Sequence, residues 1–237
     1  MKIFIPTQSF QDWQRFLAKP NLHWKEGHSA MTLARSWEAA AATGFPPEIK
    51  AAFETSGSPL LTNLDPLLAL PEFQVPLPAG VQSSQIDLLA LAHGKEGLVG
   101  IVVEGTVDET FGPTLREKRI GPSDGFNERH VSLLQYLELP PSIPQTIRYQ
   151  FLHRTASALI VARQFDAKAA VMLVHSFSPT NKGFSDFEAF AGLFNAEPEI
   201  GQIVSAGMFE GMPLFLGWCA GDQRFRSGDD AEQAGKL

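Results

Sequence analysis

Two carboxylates on neighbouring apolar runs carry the strongest chemical signal in this sequence. Asp87 lies in Gln85-Ile86-Asp87-Leu88-Leu89-Ala90-Leu91-Ala92, and Glu104 in the run from Leu98 to Glu109. Both runs are rich in Val, Ile and Leu, and the polar Gly94-Lys95-Glu96-Gly97 between them reads as the loop of a β-hairpin. With those residues as the loop, His93 pairs with Leu98. Asp87 then falls opposite Glu104 on the same face, with β-carbons about 5 Å apart. Two carboxylates at that separation repel, so the fold must supply a cation, a proton or water. Hard oxygen ligands of this kind suit Mg²⁺ or Mn²⁺, and such an ion would activate water and stabilise charge on a phosphoryl group. The plainer alternative is a pair of strand-end carboxylates that face solvent or pair with arginine.

The surrounding elements must hold these side chains. Residues 1–6 read as a first strand, and Ser9 as the cap of a helix from Phe10 to about Ala18. Stronger helices are expected from Ser29 to about Thr43, ended by Gly44 and Pro46-Pro47, and from Pro47 to Thr55. Asp65-Pro66 suggests a short helical turn to Leu70, and the proline-rich stretch 71–78 an edge strand or lead-in to the hairpin. Along the second hairpin strand Glu104, Thr106 and Asp108 share a face. Residues 112–128 read as a loop rich in Gly, Pro and charge, followed by a helix to Leu137. A helix over 146–165 buries Ile147, Phe151, Leu152, Leu159 and Ile160, while Gln150, Arg154 and Ser157 form a separate polar line. Ala169 to His175 is a buried-type strand, Ser185-Asp186-Phe187-Glu188 a capping box opening a helix to Phe194, and Met212 to Cys219 a last strand. The order implies one α/β domain over 1–237, a mixed central sheet flanked by helices, with a frayed polar tail from about 227.

Composition narrows the function classes. Acidic residues outnumber basic ones by 26 to 19, so nucleic-acid contact requires a local basic patch. The single cysteine, Cys219, excludes an intramolecular disulfide and a thiolate-rich zinc site, which points to a cytoplasmic protein. No run approaches the ~20 apolar residues of a membrane helix, so no membrane partner is expected. His153 and His175 lack any serine or cysteine nucleophile motif beside them.

An Asp on one strand and Glu-x-Lys on the next, preceded by a helix that often bears a Glu, characterises the PD-(D/E)XK, or restriction-endonuclease-like, superfamily. This chain resembles that pattern with Asp87, Glu104 and Thr106 in the three places. It also resembles an uncharacterised bacterial family whose second strand reads Glu-Gly-Lys-Val-Asp-Glu followed by Phe-Gly-Pro; here the text is Glu104-Gly105-Thr106-Val107-Asp108-Glu109-Thr110-Phe111-Gly112-Pro113. The resemblance implies a restriction-endonuclease-like core, Mg²⁺ or Mn²⁺ held at Asp87 and Glu104 with Glu38 as a helper, and Gln150 and Arg154 facing a nucleic-acid substrate. It departs from the pattern at Thr106, where a neutral hydroxyl replaces the lysine that offsets phosphate charge. Loss of such a group costs on the order of 10²- to 10³-fold in rate. Lys95 sits at the opposite end of the hairpin, and Lys118 is not placed by the hairpin argument. The sequence therefore supports two readings: a metal-dependent nuclease with degraded catalysis, or a non-catalytic binding or accessory domain of the same fold.

Overall fold

A computed structural model describes residues 7–78, 83–120 and 125–227; the expected first strand and the polar tail lie outside them. The described elements are a 3₁₀ helix Phe10–Phe16, then α1 Pro20–His23, α2 Ser29–Ala40, α3 Pro47–Thr55, β1 Asp65–Pro76, β2 Ser83–Gly94, β3 Gly97–Thr106, α4 Leu115–Ile120, α5 Phe126–Tyr136, α6 Tyr149–Gln164, β4 Ala169–Ser176, α7 Phe184–Ala191, β5 Gln202–Phe209 and β6 Met212–Ala220. The expected mixed α/β architecture is present: one six-stranded sheet in the order β1-β2-β3-β4-β6-β5. The β3–β4 and β4–β6 pairings are parallel and the others antiparallel.

The hairpin folds in the register read from the sequence, with His93 opposite Leu98. Its turn is tighter than the four-residue loop expected, because Gly94 and Gly97 also pair and leave only Lys95-Glu96 to reverse the chain. Gly97 makes this possible with a φ of +126°.

The sheet is covered on both faces. On one side α6 packs over β3 and β4, with Phe151, Leu152 and Leu159 set against Val102, Met172 and Val174. On the other, Leu33 and Trp37 of α2 and Ile49 and Phe53 of α3 meet Ala90, Val103 and Leu173. Every residue of β4 is buried, as a central strand between two helical layers requires. Two close approaches fix the layers: a Cβ on Gly100 would lie 3.1 Å from the backbone of Ala162 in α6, and one on Gly105 3.1 Å from Leu33 in α2.

Several expected elements are corrected. Residues 65–70 form the start of β1 rather than a helical turn, because pairing with β2 satisfies their backbone along a full edge strand. Ser29 lies inside α2, whose N-cap is His28, and the helix ends at Ala40. Ser185 likewise lies inside α7, capped instead by Gly183 in a left-handed conformation. Within the expected loop 112–128, Thr114 and Glu117 bond reciprocally and open α4. Strand β5 was not anticipated at all.

Candidate functional site

Glu104 near the end of β3 is buried, with 4% of its surface exposed. A carboxylate this deep needs partners, and α6 supplies them. Gln150 Nε2 donates to Glu104 Oε1, and Arg154 Nε donates to Glu104 Oε2. Arg154 Nη2 adds a 3.4 Å bond to Oε1, while its Nη1 donates to Ser84 Oγ at 2.7 Å. The polar line read along α6 thus meets the hairpin carboxylate; Ser157, its third member, bonds only to the His153 carbonyl one turn back at 2.7 Å.

Asp87 occupies the register position beside Glu104, one step beyond the Leu88–Val103 pair. Its Oδ2 accepts from the Gly105 N–H at 2.9 Å. Burial, reinforced by the charges of Glu104 and Glu72, pushes its carboxyl well above the ordinary range, against the opposing pull of Arg154 and the Gly105 N–H.

Glu72 is the site residue that the sequence reading missed. Between the Pro71–Leu88 and Phe73–Ile86 pairs of the β1–β2 ladder, the register sets Glu72 beside Asp87. Three carboxylates therefore stand in a row across β1, β2 and β3. Glu72 accepts from Gln85 Nε2 at 2.7 Å, and burial together with Glu104 pushes its carboxyl up to about 7. It adopts a φ of +53°, uncommon for a glutamate. The available signal was its place in an edge strand aligned with Asp87, hidden by the prolines around it.

Glu38 stands apart. Its Oε1 accepts from Thr7 Oγ1 and Trp13 Nε1, each at 2.7 Å, and it lines a different cavity with Trp37, Pro66 and Ala90. Asp108 also stays away from the row, bound by Arg226 at 2.9 Å. Thr106, at the motif-lysine position, is buried, and its carbonyl accepts from the Phe177 N–H at 2.7 Å.

The donor set decides how well a divalent ion fits. Both oxygens of Glu104 are engaged by Gln150 and Arg154, and Asp87 Oδ2 is taken by the Gly105 N–H. Among the described residues no group of three or more His, Cys, Asp or Glu is arranged to hold a metal. In this arrangement the cationic place is taken by the Arg154 guanidinium, and Mg²⁺ or Mn²⁺ does not fit without displacing it.

Beyond Arg154 opens a cavity of about 360 Å³, lined among others by Ser84, Lys118, Arg129, Tyr149, Gln150 and His153. Lys118 comes from α4, which is tied to the segment leading into α6 by the Leu115 N–H to the Ile147 carbonyl at 2.9 Å and the Arg116 N–H to the Gln145 carbonyl at 3.0 Å. A local basic surface is thereby assembled on an acidic protein, with Arg116 and Arg119 exposed on the same short helix.

The other polar centre lies across the sheet. Trp37 Nε1 donates to His175 Nδ1 at 3.3 Å, so the imidazole proton is on Nε2, which meets Glu48 Oε1 at 2.8 Å. Burial lowers His175 below the ordinary histidine range, against the opposing hydrogen bond and charge of Glu48, and this histidine ties β4 to Trp37 of α2 and Glu48 of α3. Cys219 is wholly buried, and burial pushes its thiol up to about 12, as packing rather than nucleophilic chemistry requires.

Among the described residues no helix is long and apolar enough to cross a membrane. No match was found among curated proteins or among solved structures. The model of a domain family of unknown function, DUF6946, matches residues 6–223, and the chain belongs to that family.

Proposed function

We propose that this protein is a cytoplasmic, nuclease-like binding domain of the restriction-endonuclease-like kind, in which an internal arginine takes the place of the metal and nucleic-acid phosphate is held without being cleaved. The observation that carries this reading is the buried Glu104–Arg154 pair, in which both carboxylate oxygens are already bound by Arg154 and Gln150. Arg154 offsets the charge of Glu104, and burial beside Glu104 and Glu72 favours the neutral form of the Asp87 carboxyl, so the site is held together by an internal cation. The absence of a lysine at position 106 agrees with it. Lys118 and Arg129 line the adjoining cavity, which gives an anionic backbone a place to bind.

A second reading, phosphodiester hydrolysis with Mg²⁺ or Mn²⁺, is favoured by one observation, the row Glu72, Asp87 and Glu104 across three strands. It requires Arg154 to leave Glu104.

Fluorescence anisotropy with a labelled, unphosphorylated oligonucleotide tests the first reading. Binding is expected in EDTA and is expected to be unchanged by Mn²⁺, with no cleavage of DNA or RNA. Cleavage by the native protein in Mn²⁺ that disappears in Glu104→Ala would overturn it in favour of the second. Cleavage seen only in Thr106→Lys would mark a disabled nuclease site, in agreement with the first.

A further inference from the structure

The cavity beside Arg154 contains more positive charge than a phosphodiester needs. The geometry points to a pocket for a phosphate monoester, the dianionic group found on a mononucleotide or at a phosphorylated nucleic-acid end. This rests on the reading of the site as phosphate-binding and names the group it selects.

The first argument is charge. No Asp or Glu lines the cavity, whereas Lys118, Arg129 and Arg154 do. Arg154 is neutralised by Glu104. Lys118 and Arg129 have no carboxylate within ion-pair distance among the described residues. Among the described residues two positive charges are thus left over, which match a monoester at neutral pH, whose charge is about −1.5 to −2. A diester carries only one negative charge and would leave one cation unmatched.

The second argument is how the cations are held. Tyr149 neighbours both: Lys118 Nζ lies 5.6 Å from its ring centroid, and the positive charge of Arg129 acts on its hydroxyl, opposing the rise that burial causes. Phe126 in turn packs edge-on against Tyr149, with centroids 5.3 Å apart. The cations are therefore positioned by an aromatic support and retain their charge for a ligand.

The third is a directed neutral donor. Ser84 Oγ accepts from Arg154 Nη1 at 2.7 Å, so its own proton points to His153 Nδ1 at 3.0 Å. Nδ1 is then the acceptor and the imidazole proton sits on Nε2. Among the described residues Nε2–H has no acceptor, although His153 lines the cavity. A phosphate oxygen would complete it. The cavity, at about 360 Å³, lies within the ordinary range of small-molecule sites.

The test compares four probes in EDTA: inorganic phosphate, adenosine 5′-monophosphate, and one labelled decanucleotide with either a 5′-phosphate or a 5′-hydroxyl. The 5′-phosphorylated strand is expected to bind at least about tenfold more tightly than its hydroxyl counterpart. Lys118→Gln and Arg129→Gln are each expected to reduce that preference severalfold, with unchanged far-UV circular dichroism. His153→Phe should reduce it without changing the net charge at neutral pH. Tight binding of adenosine monophosphate would assign the pocket to nucleotides, whereas preference for the phosphorylated strand alone would assign it to nucleic-acid ends. Equal affinity for both strands, with no measurable binding of phosphate or adenosine monophosphate, overturns the monoester pocket while leaving nucleic-acid binding intact. Binding of adenosine monophosphate with none of either strand supports the pocket and removes the nucleic-acid reading.

Discussion

Glu104 and Arg154 are each acceptable in the interior only because of the other. Removing one leaves an uncompensated buried charge, so Glu104→Ala or Arg154→Ala should lower unfolding free energy by about 3–5 kcal/mol. The apolar double variant Glu104→Leu/Arg154→Met should recover most of that loss, and urea unfolding of all four proteins reads the difference. Additive losses in the double variant would show that the pair is not the unit of stability.

A second expectation belongs to Glu72. Its folded carboxyl titrates near 7 against an ordinary value of 4.5, so the unfolded chain gives up this proton first. Stability must then fall as pH rises from about 4.5 to about 7. Burial lowers His153, His175 and His130, with nearby cations adding to the effect at His153 and His130; these groups act oppositely, costing stability as pH falls below the ordinary histidine value of 6.5. Glu72→Gln should therefore steepen the loss of melting temperature on acidification from pH 7 to 5. An unchanged pH profile would show that Glu72 ionises normally. The polar residues of α6 were legible in the sequence because helical spacing alone aligns Gln150 with Arg154. A hairpin carboxylate paired with an arginine, and Arg154 paired with a buried carboxylate, were each among the plainer readings; that the two are one pair, Glu104 with Arg154, was not legible, since it depends on where α6 crosses the sheet.

At the scale of elements, the hairpin was readable because its register follows from alternation and a glycine-bracketed turn. The second half of β1 was readable as an edge strand over 71–78, but its first half was not, because Asp65-Pro66 is also a good helix start and only pairing with β2 decides between them. β5 escaped notice because Gly207 and a register shift between Ser205 and Gly207 interrupt its pattern. The Thr114–Glu117 capping box could have revealed α4, and with it the arrival of Lys118 at the site. α6 itself is seated by the absence of a side chain at Gly100, where a Cβ would come 3.1 Å from Ala162 Cα. Gly100→Ala should destabilise by about 1–3 kcal/mol through overpacking and weaken oligonucleotide binding by shifting Gln150 and Arg154. Thermal unfolding and anisotropy on the same sample check both effects; wild-type values in each would mean that the helix has slack at this contact.

For the molecule as a whole, a net charge of −7 and a cationic cavity act in opposite directions on an approaching polyanion. Binding governed by Lys118 and Arg129 should weaken with salt at a logarithmic slope of about −1.4 for a single strand, as two neutralised phosphates would give. A slope several times steeper would reveal a wider contact surface extending along Arg116 and Arg119. The two-layer covering of the sheet has an optical consequence. Trp13, Trp24 and Trp37 all belong to the α2–α3 side, whereas Trp218 lies among Phe111, Phe184 and Phe187 on the α6 side. Trp218→Phe consequently confines indole emission to one layer, and comparing its denaturation curve with that of the wild type reports whether the two halves of the protein melt together or in succession.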